Sequence, residues 1–204
     1  MKSLAILGAS GHGKVVADIA EQCGWLKVEF FDDDWPTVQA NGHWKVVGDT
    51  KALISQVGNY EGTIVAIGDN GIRFQKIREL TNVGLPLVNL VHPSAVVSQY
   101  SVLGPGSVLM AGVVVNAGTT IGSGAILNTC CSVDHDCSLG GSVHISPGAR
   151  IAGGVRVGDR SWIGIGSCVR QGINIGSNVT VGAGAAVVAD LPDGATAVGV
   201  PARF

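Results

Sequence analysis

The chain has 204 residues, a formal charge of −2, 46% hydrophobic and 14% charged residues, which suits a packed core in one or two domains. The charge balance and the lack of any basic run argue against a nucleic-acid surface, and no apolar stretch approaches the ~20 residues of a membrane span. The 31 glycines, about twice the usual ~7% share, belong to an ordered repeat rather than to disorder.

Residues 1–85 read as an α/β domain. The opening apolar run is too short for a signal peptide, and Ser3–Leu7 reads as a first strand ending in the loop Gly8-Ala9-Ser10-Gly11-His12-Gly13-Lys14. A helical run follows, with Val15, Val16, Ile19 and Ala20 on one face and Gly24 as its stop signal. Val28–Phe31 reads as a second strand ending in Asp32, Asp33 and Asp34, and Thr63–Ile67 as a third ending in Gly68, Asp69 and Asn70. A helix from Ile72 to Leu80 comes next, and Leu87–Val91 leads out of the domain. The alternation predicts a Rossmann-like parallel sheet with ligands at the carboxyl ends of its strands.

The glycine loop matches most of a Walker A motif, but Val15 stands where the Mg²⁺-holding hydroxyl is required, and the loop is not GxGxxG. NTPase and dinucleotide redox readings are therefore poor. The loop supports either a phosphate at a helix N-terminus or a plain strand-to-helix turn. The three acids suit hydrogen bonding to a ribose, base or sugar, or a solvated strand end. A nucleotide-carrying ligand fits both features.

Past residue 86 the pattern changes. Every sixth residue from Val91 to Val187 is aliphatic, 17 in unbroken register. The position four later is Ala, Ser, Thr, Cys or Val except at Ile173 and Leu191, and the position three later is Gly, Asn or Asp in 12 of the 17. So short a repeat predicts a parallel β-helix of triangular coils. The aliphatic residue points inward, the small one fits near the vertex, and the corner tolerates a left-handed backbone. Coils stack at ~4.8 Å, which puts residues 18 apart in columns. No hexad carries an insertion, so a site must be built from coil residues and neighbouring chains. Cys23, Cys130, Cys131, Cys137 and Cys168 show no CxxC or metal-ligand spacing and read as reduced, mostly buried small residues of a cytosolic protein.

Two histidines lie in the coils beyond the first. His135, two residues past inward Val133, falls at a vertex between Asp134 and Asp136. A carboxylate so placed can orient an imidazole used as a general base; a surface histidine beside two solvated acids has the same sequence. Gly153, 18 residues on, stacks on that vertex with a bare N–H suited to a developing oxyanion. His144 follows His135 by nine residues, half a coil round, so one chain cannot bring the two to one vertex, whereas coils side by side in a trimer can. Trp162 shares the column of His144, where an exposed aromatic points to interface packing.

Together the hexads, the Gly8–Lys14 loop, Asp32-Asp33, Gly68-Asp69-Asn70, the stretch from Asn128 to His135-Asp136-Cys137 and the terminal Gly199-Val200-Pro201-Ala202-Arg203 resemble the bacterial nucleotide-amino-sugar N-acetyltransferases, relatives of the sialic acid O-acetyltransferases. The similarity covers essentially the whole chain. It implies an N-terminal Rossmann-like substrate domain (1–85) and a left-handed β-helix of hexapeptide repeats (86–204), assembled as a cytoplasmic homotrimer. The implied reaction moves acetyl from acetyl-CoA to the 4-amino group of a nucleotide-linked 4-amino-4,6-dideoxy sugar, with no metal and no covalent intermediate. Carried over by motif, His135 is the general base, Asp136 (where the family commonly has Glu) the acid that orients it, and Gly153 the oxyanion-binding backbone. His144, Ile165, Gly182 and Ala183, with Pro201 and Arg203, fall where the family binds acetyl-CoA. Ser10, Gly11, His12, Gly13, Asp32, Asp33 and Asn70 fall in the nucleotide-sugar site, and Asn128 in the sugar pocket near the base. Lys14 and Asp69 are not fixed by the family pattern, and UDP, GDP and dTDP sugars all fit.

Other readings stay open at this point. A sialic acid O-acetyltransferase, with a hydroxyl in place of the amine, would carry much the same signature. A zinc carbonic anhydrase on the same helix needs three histidines at a subunit interface, typically with an H-x₄-H pair, whereas the coils offer His135, His144 and the distant His92. A non-catalytic scaffold or nucleotide-sugar sensor would keep the fold without the transfer.

Overall fold

The computed structural model describes residues 2–204. The chain divides into two compact units, one ending at Val91 and the other beginning at His92. Leu85 is buried in the core of the first unit beside Ile77 and Leu80, which carries that unit beyond its last helix.

The first unit contains, in order, β1 (Ser3–Leu7), α1 (Gly11–Gln22), β2 (Lys27–Phe31), β3 (Ala40–Asn41), β4 (Trp44–Gly48), α2 (Thr50–Ser55), β5 (Gly62–Val65) and α3 (Asn70–Asn82). The sheet order is β3-β4-β2-β1-β5. All neighbours pair in parallel except β3, which is antiparallel to β4. Central β1 is buried along its whole length, as expected of a parallel strand covered on both faces. Ala5, Leu7, Phe31 and Val65 form one core with Leu53 of α2 and Ile77 and Leu80 of α3, each large side chain contributing ~1.5–3 kcal/mol by leaving water. Helix α1 buries Val16, Ala17, Ile19 and Ala20, but Val15 is exposed. At ~100° per residue Val15 rotates off the stripe that the other four share.

The sequence assigns no element between Asp34 and Thr63; the structure has β3, β4 and α2 there. Local chemistry explains both additions. Gly42 takes a left-handed φ of 67° at the first turn position of the β3–β4 hairpin. Asp49 caps α2 by accepting the Ala52 N–H at 2.7 Å. Helix α3 begins at Asn70 rather than Ile72 because Asp69 caps it, accepting the Ile72 N–H at 2.8 Å.

The second unit is a left-handed parallel β-helix. Two-residue strands recur in every hexad and pair in parallel with the strand one coil away, as Val114–Val115 does with Ser132–Val133. The first face runs from Val96–Val97 to Ala186–Val187, the second from Val102–Leu103 to Asn174–Ile175, and the third from Val108–Leu109 to Thr196–Ala197. From Leu109 to Val187 each inward aliphatic is no more than 3% exposed. Every corner residue from Gly106 to Gly184 has positive φ, including Cys130, Ser142 and Arg160. The left-handed backbone costs such residues ~1–2 kcal/mol. It is held by coil-to-coil bonds: Cys130 N–H to Ala111 O at 2.9 Å, Ser142 N–H to Ser123 O at 2.8 Å and Arg160 N–H to Gly141 O at 2.9 Å.

Cysteine placement departs from expectation. Cys131 and Cys137 are buried in the inward small position, but Cys130 at its corner and Cys168 on the outer side of the first face are exposed. None of the described helices is long and apolar enough to cross a membrane.

Candidate active site

His135 and Gly153 meet on the edge between the first and second faces. Val133 is fully buried and the chain then turns, with Asp136 at φ 58°, leaving the His135 side chain 63% exposed. Its ring lies over Gly153, where a Cβ would stand 2.6 Å from Cε1 and 2.7 Å from Nε2. Only glycine leaves the ring where it is. Nδ1 is 2.8 Å from the Asp136 carboxylate. An ionised carboxylate can only accept, so Nδ1 carries a proton, and in the neutral ring Nε2 then keeps its lone pair. The bond to Asp136, reinforced by the charge of Asp134, raises His135 above the ordinary imidazole pKa.

Asp134 holds the backbone of this corner. Its Oδ1 accepts the His135 N–H at 2.9 Å and the Asn116 Nδ2–H at 2.8 Å, and these bonds lower its pKa. The Gly153 N–H is bonded to nothing among the described residues; the ladder between coils resumes with Gly154 N–H to His135 O at 2.9 Å.

A cleft of about 600 Å³ runs along the third face and the edge beyond it, lined by Asn128, His144, Trp162, Ile165, Gly182 and Ala183 among others. His144 points outward yet is only 7% exposed. The Trp162 ring of the next coil stacks on it at 4.6 Å, and Asn128 Nδ2 lies 3.3 Å from its Nε2. Trp162 donates its N–H to Ser146 Oγ at 2.7 Å, so the residue expected at an interface forms a wall of this cleft. Ile165 and Ala183 occupy the corner position that Gly153 occupies on its own edge. Pro201 and Arg203 do not line the cleft. They belong to the terminal turn, which closes through Val198 and Arg203 and joins Ala186 through the Ala202 N–H at 2.8 Å. Within one chain His135 stands on the edge between the first and second faces, whereas His144 lies on the third face. Among the described residues no three His, Cys, Asp or Glu side chains gather as a metal-ligand set.

In the first unit a second cleft, about 340 Å³, opens at the carboxyl ends of β1, β2 and β5, lined by Gly8, Ser10, Asp32, Asp33, Gly68 and Lys76 among others. A Cβ on Gly13 would collide with the Gly8 carbonyl, so glycine lets α1 start directly against the loop. Asp32 accepts the Ala9 N–H at 2.6 Å and the Asp34 N–H at 3.0 Å. Asp33 accepts the Thr50 N–H and the Lys76 ammonium, both at 3.0 Å. Partial burial would raise the Asp33 pKa, but the bonds from Thr50 and Lys76 outweigh it and hold it at about 2.

His12 and Asn70 stand behind this cleft rather than on its wall. Asn70 is buried and accepts Arg73 Nη2–H at 2.7 Å. Fully buried Arg73 also donates to the carbonyls of Ile67 and Gly68 at 2.8 and 2.9 Å. Burial, and then the charge of Arg73, lower His12 to about 4 and keep its ring neutral; its Nε2 is buried without a hydrogen-bond partner. Lys14 lines a separate hollow with Val15, Gly42, His43 and Trp44, so it does not serve as a Walker lysine. Sequence reasoning passed over Arg73 and Lys76, whose signal is their spacing of three from Asn70 and from each other along one helix face.

A histidine–carboxylate pair over a corner glycine, on a β-helix carrying a long cleft, defines a hexapeptide-repeat acyltransferase. Residues 3–80 match the family model of the PglD N-terminal domain. The acetyltransferase domain of PglB from Neisseria gonorrhoeae FA1090, solved in complex with acetyl coenzyme A, is 45% identical with a TM-score of 0.95, over 99% of this chain and 98% of that one. PerB from Caulobacter crescentus, in complex with CoA and GDP-perosamine, is 44% identical with a TM-score of 0.94, over 98% and 96%. The UDP-N-acetylbacillosamine N-acetyltransferase of Bacillus subtilis (strain 168) is 36% identical over 112 residues, which span 52% of this chain and only half (50%) of that protein. The chain belongs to the bacterial nucleotide-amino-sugar N-acetyltransferase family.

Proposed function

We propose that this chain transfers an acetyl group from acetyl-CoA to the 4-amino group of a nucleotide-linked 4-amino-4,6-dideoxy sugar. The observation that carries the reading is the first edge, where a carboxylate-oriented imidazole lies over a glycine whose amide is free to donate. As the amine nitrogen attacks the thioester carbonyl carbon, His135 Nε2 takes an amine proton and Asp136 stabilises the imidazolium. The Gly153 N–H donates to the tetrahedral oxyanion. Collapse expels CoA thiolate, which receives the proton from His135, so no covalent enzyme intermediate is required.

His144, Ile165, Gly182 and Ala183 form the acetyl-CoA groove, with Pro201 and Arg203 on the terminal turn, and Asn128, which lines the same cleft, serves the sugar pocket near the base. Ser10, Gly11, His12, Gly13, Asp32, Asp33 and Asn70 form the nucleotide-sugar site, the last of these and His12 by supporting it from behind. His135 and the groove lie on different edges of one chain, so each complete site takes the base from one subunit and the groove from another, in a cyclic homotrimer. Five free cysteines fit a reducing cytoplasm. The amine acceptor is favoured over a sialic acid hydroxyl by PerB, whose complex holds GDP-perosamine.

Thiol release from acetyl-CoA, measured against UDP-, GDP- and dTDP-linked 4-amino sugars with free sialic acid as competitor, tests the proposal. Release is expected with an amino sugar, and His135→Ala should lower kcat by ~10²–10⁴-fold in an intact trimer. Release with sialic acid alone, or near-normal turnover in the variant, would overturn it.

A further inference from the structure

A corner amide such as that of Gly153 is free unless a side chain reaches it, either from a later coil or from the residue before it. From a later coil, Asp159 takes the Gly141 N–H at 2.8 Å and Asp193 the Ser177 N–H at 2.7 Å. The amide two residues past the inward aliphatic, which is missing where that residue is Pro105 or Pro147, gives no bond to the inter-coil ladder, so an acceptor one residue earlier in the chain can claim it. Asn128 does so, taking the Thr129 N–H at 2.8 Å, and Asp134 takes the His135 N–H at 2.9 Å. Asn116, Asp134 and residue 152 form one column, each 18 residues from the next. In that column Asn116 donates to Asp134 at 2.8 Å. Within the column Asp134 alone accepts the amide that follows it, and the next residue is Ala152. Its methyl cannot accept a hydrogen bond, and the Gly153 N–H has no partner among the described residues.

We infer that Ala152 is a positioning residue of the transfer reaction: by ending the Asn116–Asp134 column it keeps the Gly153 amide open for the oxyanion. The inference rests on the proposed role of Gly153. An asparagine at 152 would continue the column. Its Nδ2 can donate to the Asp134 carboxylate, as Asn116 does from the coil below, while its Oδ1 accepts the Gly153 N–H, as that of Asn128 accepts Thr129. The amide would then be occupied before acetyl-CoA arrives, with His135 and Asp136 untouched.

The test compares Ala152→Asn with Ala152→Leu, a side chain of similar bulk and no acceptor. Acetyl-CoA and whichever nucleotide amino sugar the wild-type protein turns over serve as substrates, and the Gly153 amide resonance reports whether that N–H is hydrogen-bonded. Ala152→Asn is expected to shift the resonance and to lower kcat by ~10²–10³-fold. The KM for acetyl-CoA and the pH limb set by His135 should stay in place. Ala152→Leu should do neither. Equal loss in the leucine variant would mean that bulk is responsible and would overturn the inference. An unshifted Gly153 resonance in the asparagine variant would overturn it while leaving the role of Gly153 standing. A shifted resonance with undiminished kcat would remove Gly153 from the reaction, and the inference with it.

Discussion

In the proposed reaction, Asp136 sets the pH at which His135 becomes available as a base. Its hydrogen bond raises the imidazole pKa, so the neutral ring is reached only above the pH at which a free histidine would lose its proton. The acid limb of kcat/KM is therefore expected above the ordinary imidazole range. Asn tolerates the left-handed corner that Asp136 occupies at φ 58°, so Asp136→Asn should fold normally. It should move the acid limb to lower pH while lowering the plateau, because the imidazolium is less stabilised. A pH–rate profile whose limb stays put would assign that limb to another group. The pairing of His135 with Gly153 was legible in the sequence because a strict 18-residue coil makes column position a matter of counting. The unbonded state of the Gly153 amide was not, because it depends on which side chains turn toward a corner.

At the scale of elements, the glycine loop and α3 form one support for the first cleft, and its physics is that of burial. His12 lies in the first turn of α1 and has a pKa of about 4 in the folded chain against 6.5 when exposed. On acidification from pH 6.5 the unfolded chain takes up this proton while the folded one does not until about pH 4. Stability from this group is thus complete above the higher value and is lost as pH falls across the window. Urea unfolding of the wild type between those limits should show the loss, and His12→Gln should flatten that part of the curve. An unchanged slope in the variant would mean that the ring is solvated. The strands around this support were readable from apolar runs bounded by Gly and Asp. The hairpin, α2 and the inward turn of His12 were not, since a two-residue β3, a five-residue β4 and a six-residue α2 are too short to show a period, and burial of a polar ring depends on tertiary packing.

For the whole molecule, the decisive question is whether one chain or two supply a site. The sequence places His135 and His144 half a coil apart, and the structure puts His135 on one edge and the cleft along the third face and the edge beyond it. In the proposed trimer two defective chains can therefore complement. His135→Ala lacks the base but keeps the groove; Ile165→Glu, with a charge at an exposed cleft position, spoils the groove but keeps the base. Each variant alone should be nearly inactive. Co-expressed at equal levels and mixed at random in a cyclic trimer, the two should regain about a quarter of wild-type activity, because a base from one parent meets a groove from the other at that share of interfaces. Mixing the separately purified, stably assembled variants should restore far less. If the co-expressed hybrids stay as inactive as their parents although both chains are present in one trimer, base and groove must come from the same subunit, and the assembly of the site across the interface would be wrong.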